Sequence, residues 1–246
     1  MKAVSSVLGA KEIGFLLSRG HGQERLHPLV RRGASFLGSL AVRIWGYPLD
    51  ALARERAQAI LEALAPQPGE RFLALGCHVG HLALELGTSH PIRVDGLEED
   101  THCLAIAQRL REKLDAWNVS FMQQKGPYLH FLAESFDKAF AELLKEGEAQ
   151  KAYFAEVNRV LVDGGDFVFV LPMVGNGAAW PQVASALEEA GFVLEEKRLL
   201  EYDILADGLL TRFWKPLRRV LSLSDGQGGP EVLVKARKAR RPSYHR

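Results

Sequence analysis

The sequence predicts an α/β fold: a doubly wound, mostly parallel sheet of seven strands, preceded by a helical extension. Three observations carry this. Short apolar runs alternate with helix-patterned segments every ~20–30 residues, which implies parallel strands joined by right-handed crossovers. The first such run, "RFLALG", opens into a turn that holds Gly76 and Gly80. The second, "IRVDGLE", ends on an acid, Glu98, eighteen residues after Gly80.

Each element follows from local pattern. Asp50 is placed to cap a helix whose apolar stripe is Ala53, Ala57, Ile60, Leu61 and Leu64, and "APQPGE" stops it. "RFLALG" reads as a strand buried on both faces. "HLALELG" is a short helix closed by Gly87. "IRVDGLE" is the second strand, and "DTHCLAIAQRLREKLDAW" the helix after it. Cys103, Ala107, Leu110, Leu114 and Trp117 recur there at helical spacing and mark its buried side. "VSFMQQ" and "FDKAFAEL" are the third and fourth strands. "EAQKAYFAEVNRVL" is a helix, "DGG" a turn and "DFVFVLP" the fifth strand. "AAWPQVASALEEAGF" is a helix that carries Pro181 early. "FVLEEKRLLEY" and "PEVLVKARK" close the sheet, and the lack of a helix between them predicts an antiparallel edge. The chain thus divides into a helical segment over 1–49, a main domain over 50–238 and a basic tail over 239–246. The main domain has an insertion at 204–229, of the length expected for a functional loop or lid.

Composition narrows the class. The 246 residues are 47% hydrophobic and 25% charged, ordinary for a soluble globular protein. No apolar run approaches the ~20 residues needed to span a bilayer, and the apolar stretch of "MKAVSSVLGAKE" is short for a signal peptide. Two cysteines, Cys77 and Cys103, make no disulfide framework, so a reducing cytoplasm is expected. The net charge of +1 is unevenly spread. Residues 1–45 hold seven basic and two acidic residues, and the last twelve hold six basic and none acidic. The intervening body holds 18 basic and 28 acidic residues, which argues against a broad RNA-binding surface there. Solvated ends account for this division; contact of the basic ends with nucleic acid, acidic lipid or an acidic partner is the alternative. Scarce Asn, Met and Cys are compatible with a thermophilic source.

In doubly wound sheets, ligands bind beyond the carboxyl ends of the strands, at the switch point beside the first strand. Glycine there lets backbone approach a ligand, and an acid about 20 residues on takes a ribose hydroxyl. Strand, turn, helix, strand and Glu98 in that order point to a nucleoside-containing ligand. A dinucleotide-binding dehydrogenase is the fold-level competitor, but G-x-G-x-x-G is not met.

From about Asp50 to Lys238 the chain resembles the class I S-adenosylmethionine-dependent methyltransferases. "RFLALGCHVGHLALELG" is similar to the first motif of that family, "VDGLEED" to its second-strand motif and "NVSFMQQKG" to its third-strand end. "SFDKAFAELL" is similar to the fourth-strand motif, and "AYFAEVNRVLVDGGDFVFVLP" to the following helix, turn and strand. The last contains E-x-x-R-V-L-x-x-G-G, very typical of the family. The resemblance implies S-adenosylmethionine as cofactor, with contacts from Gly76, Cys77, His78, Gly80, Glu98, Glu99, Lys125, Gly126 and Ala141. It also implies methyl transfer to a small or medium-sized acceptor by in-line displacement, which depends mainly on proximity and orientation. Where the acceptor must lose a proton, Glu142 after the fourth strand and His130 in the preceding loop are the candidate bases. Trp45, Tyr47, Phe213 and Trp214 are candidates for an apolar cover.

Three positions depart from the family pattern. The first-motif acid is Ala74, the middle glycine is His78, and the adenine-reading acid aligns with Lys125. A lysine ammonium has no acceptor to offer adenine's amino group. His78 either donates to the carboxylate of the cofactor or fills the pocket. Cys77, His78, His81, His102 and Cys103 gather near two neighbouring turns, but no C-x-x-C or similar spacing is present and no metal is expected. Two further functions stay open: a non-catalytic binding or scaffold protein that has lost the cofactor, and an RNA methyltransferase that docks through the basic tail.

Overall fold

The computed structural model describes residues 51–142, 149–172, 180–200 and 231–240. The segment 1–49, the insertion 204–229, the four candidate cover aromatics and most of the basic tail lie outside the described residues.

Five helices are described: α1, Ala51–Leu64; α2, His81–Ser89; α3, Thr101–Lys113; α4, Ala149–Val160; and α5, Trp180–Glu189. The strands are β1, Arg71–Leu75; β2, Arg93–Glu98; β3, Val119–Gln123; β4, Phe136–Ala141; β5, Leu161–Pro172; β6, Phe192–Leu200; and β7, Glu231–Lys238. They form one seven-stranded sheet in the order β3-β2-β1-β4-β5-β7-β6. The five strands from β3 to β5 in that order pair in parallel, while β7 is antiparallel to both β5 and β6. Strand order reverses between β1 and β4, which makes the carboxyl ends of β1, β2 and β4 the switch point. The predicted antiparallel edge is present.

Continuous apolar runs become the central strands because both faces are covered. Phe72 to Leu75 of β1 and Phe167 to Val170 of β5 are buried throughout. Phe154 of α4 packs among Phe167 and Phe169, and Phe192 joins them. α1 buries Ala57, Ile60 and Leu64 as its stripe predicts, with Leu61 only half-buried. Pro181 falls in the first turn of α5, where its missing N–H leaves no bond unmade.

Three local expectations are corrected. Gly87 does not close α2, which continues to Ser89; a Cβ at Gly87 would collide with Val119 of β3, so glycine serves close packing there. Trp117 is not on the buried face of α3 but 71% exposed, because the helix ends at Lys113 and the chain turns through Asp115 at φ 53°. "DGG" is no turn between helix and strand. It lies within β5, where pairing to β4 slips from Phe136↔Leu161 to Lys138↔Asp166 and the surplus residues bulge. Gly164 takes φ +80° in that bulge, and a Cβ on Gly165 would stand 2.8 Å from the Asp137 carbonyl.

The family-typical E-x-x-R run has a structural role. Arg159 pairs with Glu156 at 2.8 Å and donates to the carbonyls of Leu129 and Phe131, each at 2.8 Å. Glu156 in turn accepts the Leu129 N–H at 2.9 Å. The pair clamps the β3–β4 connection against the last turn of α4. Its hydrogen bonds from Arg159 hold the Glu156 carboxyl below its ordinary value of 4.5.

Glycine packing and this clamp each yield a test. Gly96 pairs with Phe121 across β2 and β3, and a Cβ there would stand 2.6 Å from the Phe121 ring and 3.1 Å from Cys77 Sγ. Gly96→Ala is therefore expected to cost ~1–3 kcal/mol in urea unfolding, with much of it recovered in a Phe121→Leu background; full additivity would contradict the contact. Arg159→Met is expected to cost about 1–3 kcal/mol at neutral pH. Because the folded Glu156 value is lowered, the wild-type advantage is complete above its ordinary 4.5 and declines as pH falls through the lower folded value. The gap between the unfolding curves of the two proteins should narrow on the acid side, leaving the part due to the two carbonyl bonds of Arg159, which do not titrate.

Candidate functional site

The β1 turn lies at the switch point and is built by short contacts. The Cys77 N–H donates to the Leu97 carbonyl at 2.9 Å, which carries the β1–β2 ladder one step beyond the strand. The Gly80 N–H closes the turn onto the Cys77 carbonyl at 2.7 Å, and Gly80 caps α2 without any side-chain acceptor. Uncapped first-turn amides favour an anionic group.

The glycines here divide by purpose. A Cβ at Gly80 would collide with the Phe121 ring and Gly96 is filled by the same ring, so both exist for packing. Gly76, at φ +57°, has no atom within 4 Å of the place a Cβ would take. Within the β1 turn, Gly76 thus borders open space, as Gly126 does after β3, and backbone can meet a ligand there.

His78 has φ 49°, the left-handed conformation the family's middle glycine would supply, and its imidazole is exposed. It does not plug the turn from within. Its N–H donates to Glu98 Oε2 at 2.7 Å, and the Asp100 N–H donates to Glu98 Oε1 at 2.9 Å. Glu98 is only 7% exposed, and these two amides hold its carboxylate at the end of β2. Asp100 also caps α3 by accepting from the His102 and Cys103 amides.

On the other side of the turn, Glu142 follows β4 and is 6% exposed. Its Oε2 lies 3.7 Å from Nε2 of His81, the first residue of α2, and that buried nitrogen has no hydrogen-bond partner. The Cys77 thiol lies among these groups. Burial pushes its pKa well up, and the Glu98 and Glu142 charges push the same way. Burial likewise raises the Tyr153 phenol, with Cys77 and Glu98 adding to the effect. His81 in this pairing and Tyr153 were not legible as site residues. Only His81's place directly after Gly80 gave a signal.

The remaining candidates are placed as follows. Glu99, Lys125 and Gly126 are exposed beside the β2 and β3 ends, where the Gln124 N–H donates to the Glu98 carbonyl at 3.1 Å. Ala141 is buried in the core, in register with Leu75 of β1. Ala74 is 0% exposed within β1. His130 is not brought to this edge. Leu129 and Phe131 on either side of it are tied to Arg159 in the last turn of α4, near the amino ends of β4 and β5. Among the described residues, no three His, Cys, Asp or Glu side chains are placed to share a metal ion.

The residues present fit a nucleoside with a cationic tail. A carboxylate has about four acceptor positions, and the two amides on Glu98 leave two for a ribose diol. Gly76 offers the open backbone. Lys125 remains a misfit for an amino-group donor.

The sheet order, the reversal at β1 and the acid at the end of β2 are those of the class I S-adenosylmethionine-dependent methyltransferases. Residues 72–165 match the family model described as a methyltransferase domain, and the relatives and structural neighbours support a class I S-adenosylmethionine-dependent methyltransferase. It is 26% identical over 159 residues to an O-methyltransferase, rstn1, of Aspergillus nomiae, covering 62% of this chain and 71% of that one. It is 29% identical over 213 residues to the S-adenosyl-L-methionine-dependent Diels-Alderase iccD of Talaromyces variabilis, covering 73% of this chain and 72% of the relative. Among solved structures, a geranyl diphosphate methyltransferase in complex with GPP and sinefungin superposes with a TM-score of 0.63 at 19% identity, covering 79% and 80% of the two chains.

The left-handed backbone at His78 gives a test. His78→Val should lose ~1–2 kcal/mol on unfolding, since a β-branched residue is poorly tolerated at positive φ. His78→Gly should stay within about 1 kcal/mol of wild type. A fully stable valine variant would show that the turn does not need this conformation.

Proposed function

We propose that this chain binds S-adenosylmethionine across the β1 turn and transfers its methyl group to a hydroxyl of a small organic acceptor. The observation that carries the reading is the two-amide Glu98 carboxylate beside the open Gly76 turn. O-methyl transfer as the activity of one relative supports the acceptor class. Among the described residues, no helix is long and apolar enough to cross a membrane.

When bound, the cofactor supplies an electrophilic methyl group. Glu98 accepts the ribose hydroxyls, with Glu99, Lys125 and Gly126 on the nucleobase side and Ala141 in the wall. The uncapped first-turn amides of α2, aided by the exposed His78 imidazole, would hold the methionine carboxylate. The protein's part is chiefly to hold the acceptor in line with the methyl group. Of the two candidate proton acceptors, Glu142 stands at this edge and His130 does not.

A second reading keeps the cofactor without methyl transfer. It is favoured by the relative described as an S-adenosyl-L-methionine-dependent Diels-Alderase. Calorimetric titration with S-adenosylhomocysteine is expected to show saturable binding, weakened about tenfold or more by Glu98→Ala. No binding at roughly millimolar ligand would sink both readings and leave the non-catalytic scaffold.

A further inference from the structure

The two buried carboxylates of the site are placed almost symmetrically about Gly76. Leu75 of β1 is in register with Leu97 of β2 on one side and Ala141 of β4 on the other. Glu98 and Glu142 are each the next residue along, so they flank the glycine at the two neighbouring strand ends. Both are more than nine-tenths buried. Their electrostatic situations differ. Each oxygen of Glu98 accepts a backbone amide, which compensates its burial. Glu142 has His81 Nε2 at 3.7 Å, too long for a hydrogen bond, and that nitrogen is itself buried and unpartnered. A carboxylate buried at a ligand edge with no closed hydrogen bond to its nearest basic neighbour is suited to a cation that arrives with the ligand.

We infer that Glu142 is the counter-charge for the α-ammonium at the amino-acid end of S-adenosylmethionine. It takes the place of the negative charge that Ala74 does not supply. Ala74 is fully buried in β1 and has no polar atom in its side chain, and Arg71 is the sole ionisable residue of that strand, so no side chain of β1 provides a negative charge. A primary ammonium brings three donors and a full positive charge, enough to engage both the Glu142 carboxylate and nearby carbonyls. Glu98, already holding two amides, is suited to neutral hydroxyls. The division assigns the nucleoside to the β2 side of Gly76 and the amino-acid end to the β4 side. It also gives Glu142 a role in ligand binding instead of the proton-accepting role its position suggested.

The inference rests on the cofactor reading above, and three probes separate the two. S-adenosylmethionine carries a sulfonium and the ammonium, S-adenosylhomocysteine the ammonium alone, and 5′-methylthioadenosine neither. Titrated into the full-length protein, Glu142→Gln is expected to weaken the first two by about tenfold or more. The third should stay within about twofold, which also shows that the variant is folded. Glu98→Gln should weaken all three. Equal binding of all probes by wild type and Glu142→Gln would overturn the inference alone. So would uniform weakening of all three, or weakening confined to S-adenosylmethionine, which would place the charge at the sulfonium. Failure of wild type to bind any of them would overturn the cofactor reading, and this inference with it.

Discussion

The Glu98 carboxylate is the constraint from which the rest of the site follows. A carboxylate buried this deeply must be compensated, and its two partners are the backbone amides of His78 and Asp100. The first ties the β1 turn to the end of β2; the second fixes the entry into α3. To present its amide, residue 78 adopts φ 49°. That conformation costs roughly 1–2 kcal/mol for a residue with a Cβ, while a hydrogen bond to a charged acceptor contributes about 1.5–3 kcal/mol. The bond is therefore strong enough to keep the turn in a glycine-like shape with histidine in it.

Phe121 supplies the matching constraint from below. Its ring occupies the space that side chains on Gly80 and Gly96 would take. The turn and β2 thus sit on one aromatic plate, and Cys77 fills against Gly96 beside it. This explains why glycines in one loop are not equivalent. Gly80 in the turn, like Gly96 in β2, is required by the Phe121 ring inside the protein, whereas Gly76 serves its left-handed backbone at φ +57° beside open space. A motif written as a string of glycines merges the two demands.

The central strands were legible because burial on both faces leaves an unbroken apolar run, as in "RFLAL" and "DFVFV". Glu98 was legible because its offset from the turn follows from strand and helix lengths. What failed depended on contacts distant in sequence or on where a helix ends. Gly87 looked like a helix stop until Val119 was seen against it, and Trp117 fell on the helical stripe although the helix ends before it. Glu156 and Arg159 resembled a family signature with no stated purpose; the structure makes them a clamp on the backbone of Leu129 and Phe131. The approach of His81 to Glu142 arises from the β1–β4 register, and no local pattern encodes a register between strands whose partners, such as Leu75 and Ala141, are 66 residues apart.

The three departures from the family pattern are not equal in physical weight. His78 changes the side chain but keeps the backbone geometry and its amide, so the turn survives it. Lys125 is exposed on a long, rotatable stem. It fails to accept a hydrogen bond but does not occupy a fixed volume in the cleft. Ala74 alone removes a charge from a position where nothing can move to replace it, because the site is sealed within β1. A carboxylate one strand over, at Glu142, restores negative charge to the same side of Gly76 without restoring the motif. Motif matching therefore scores Ala74 as a loss at the point where the fold holds its own substitute. In the described geometry the β4 end therefore carries the buried charge on that side of Gly76, while the β1 turn keeps its shape without the missing glycine.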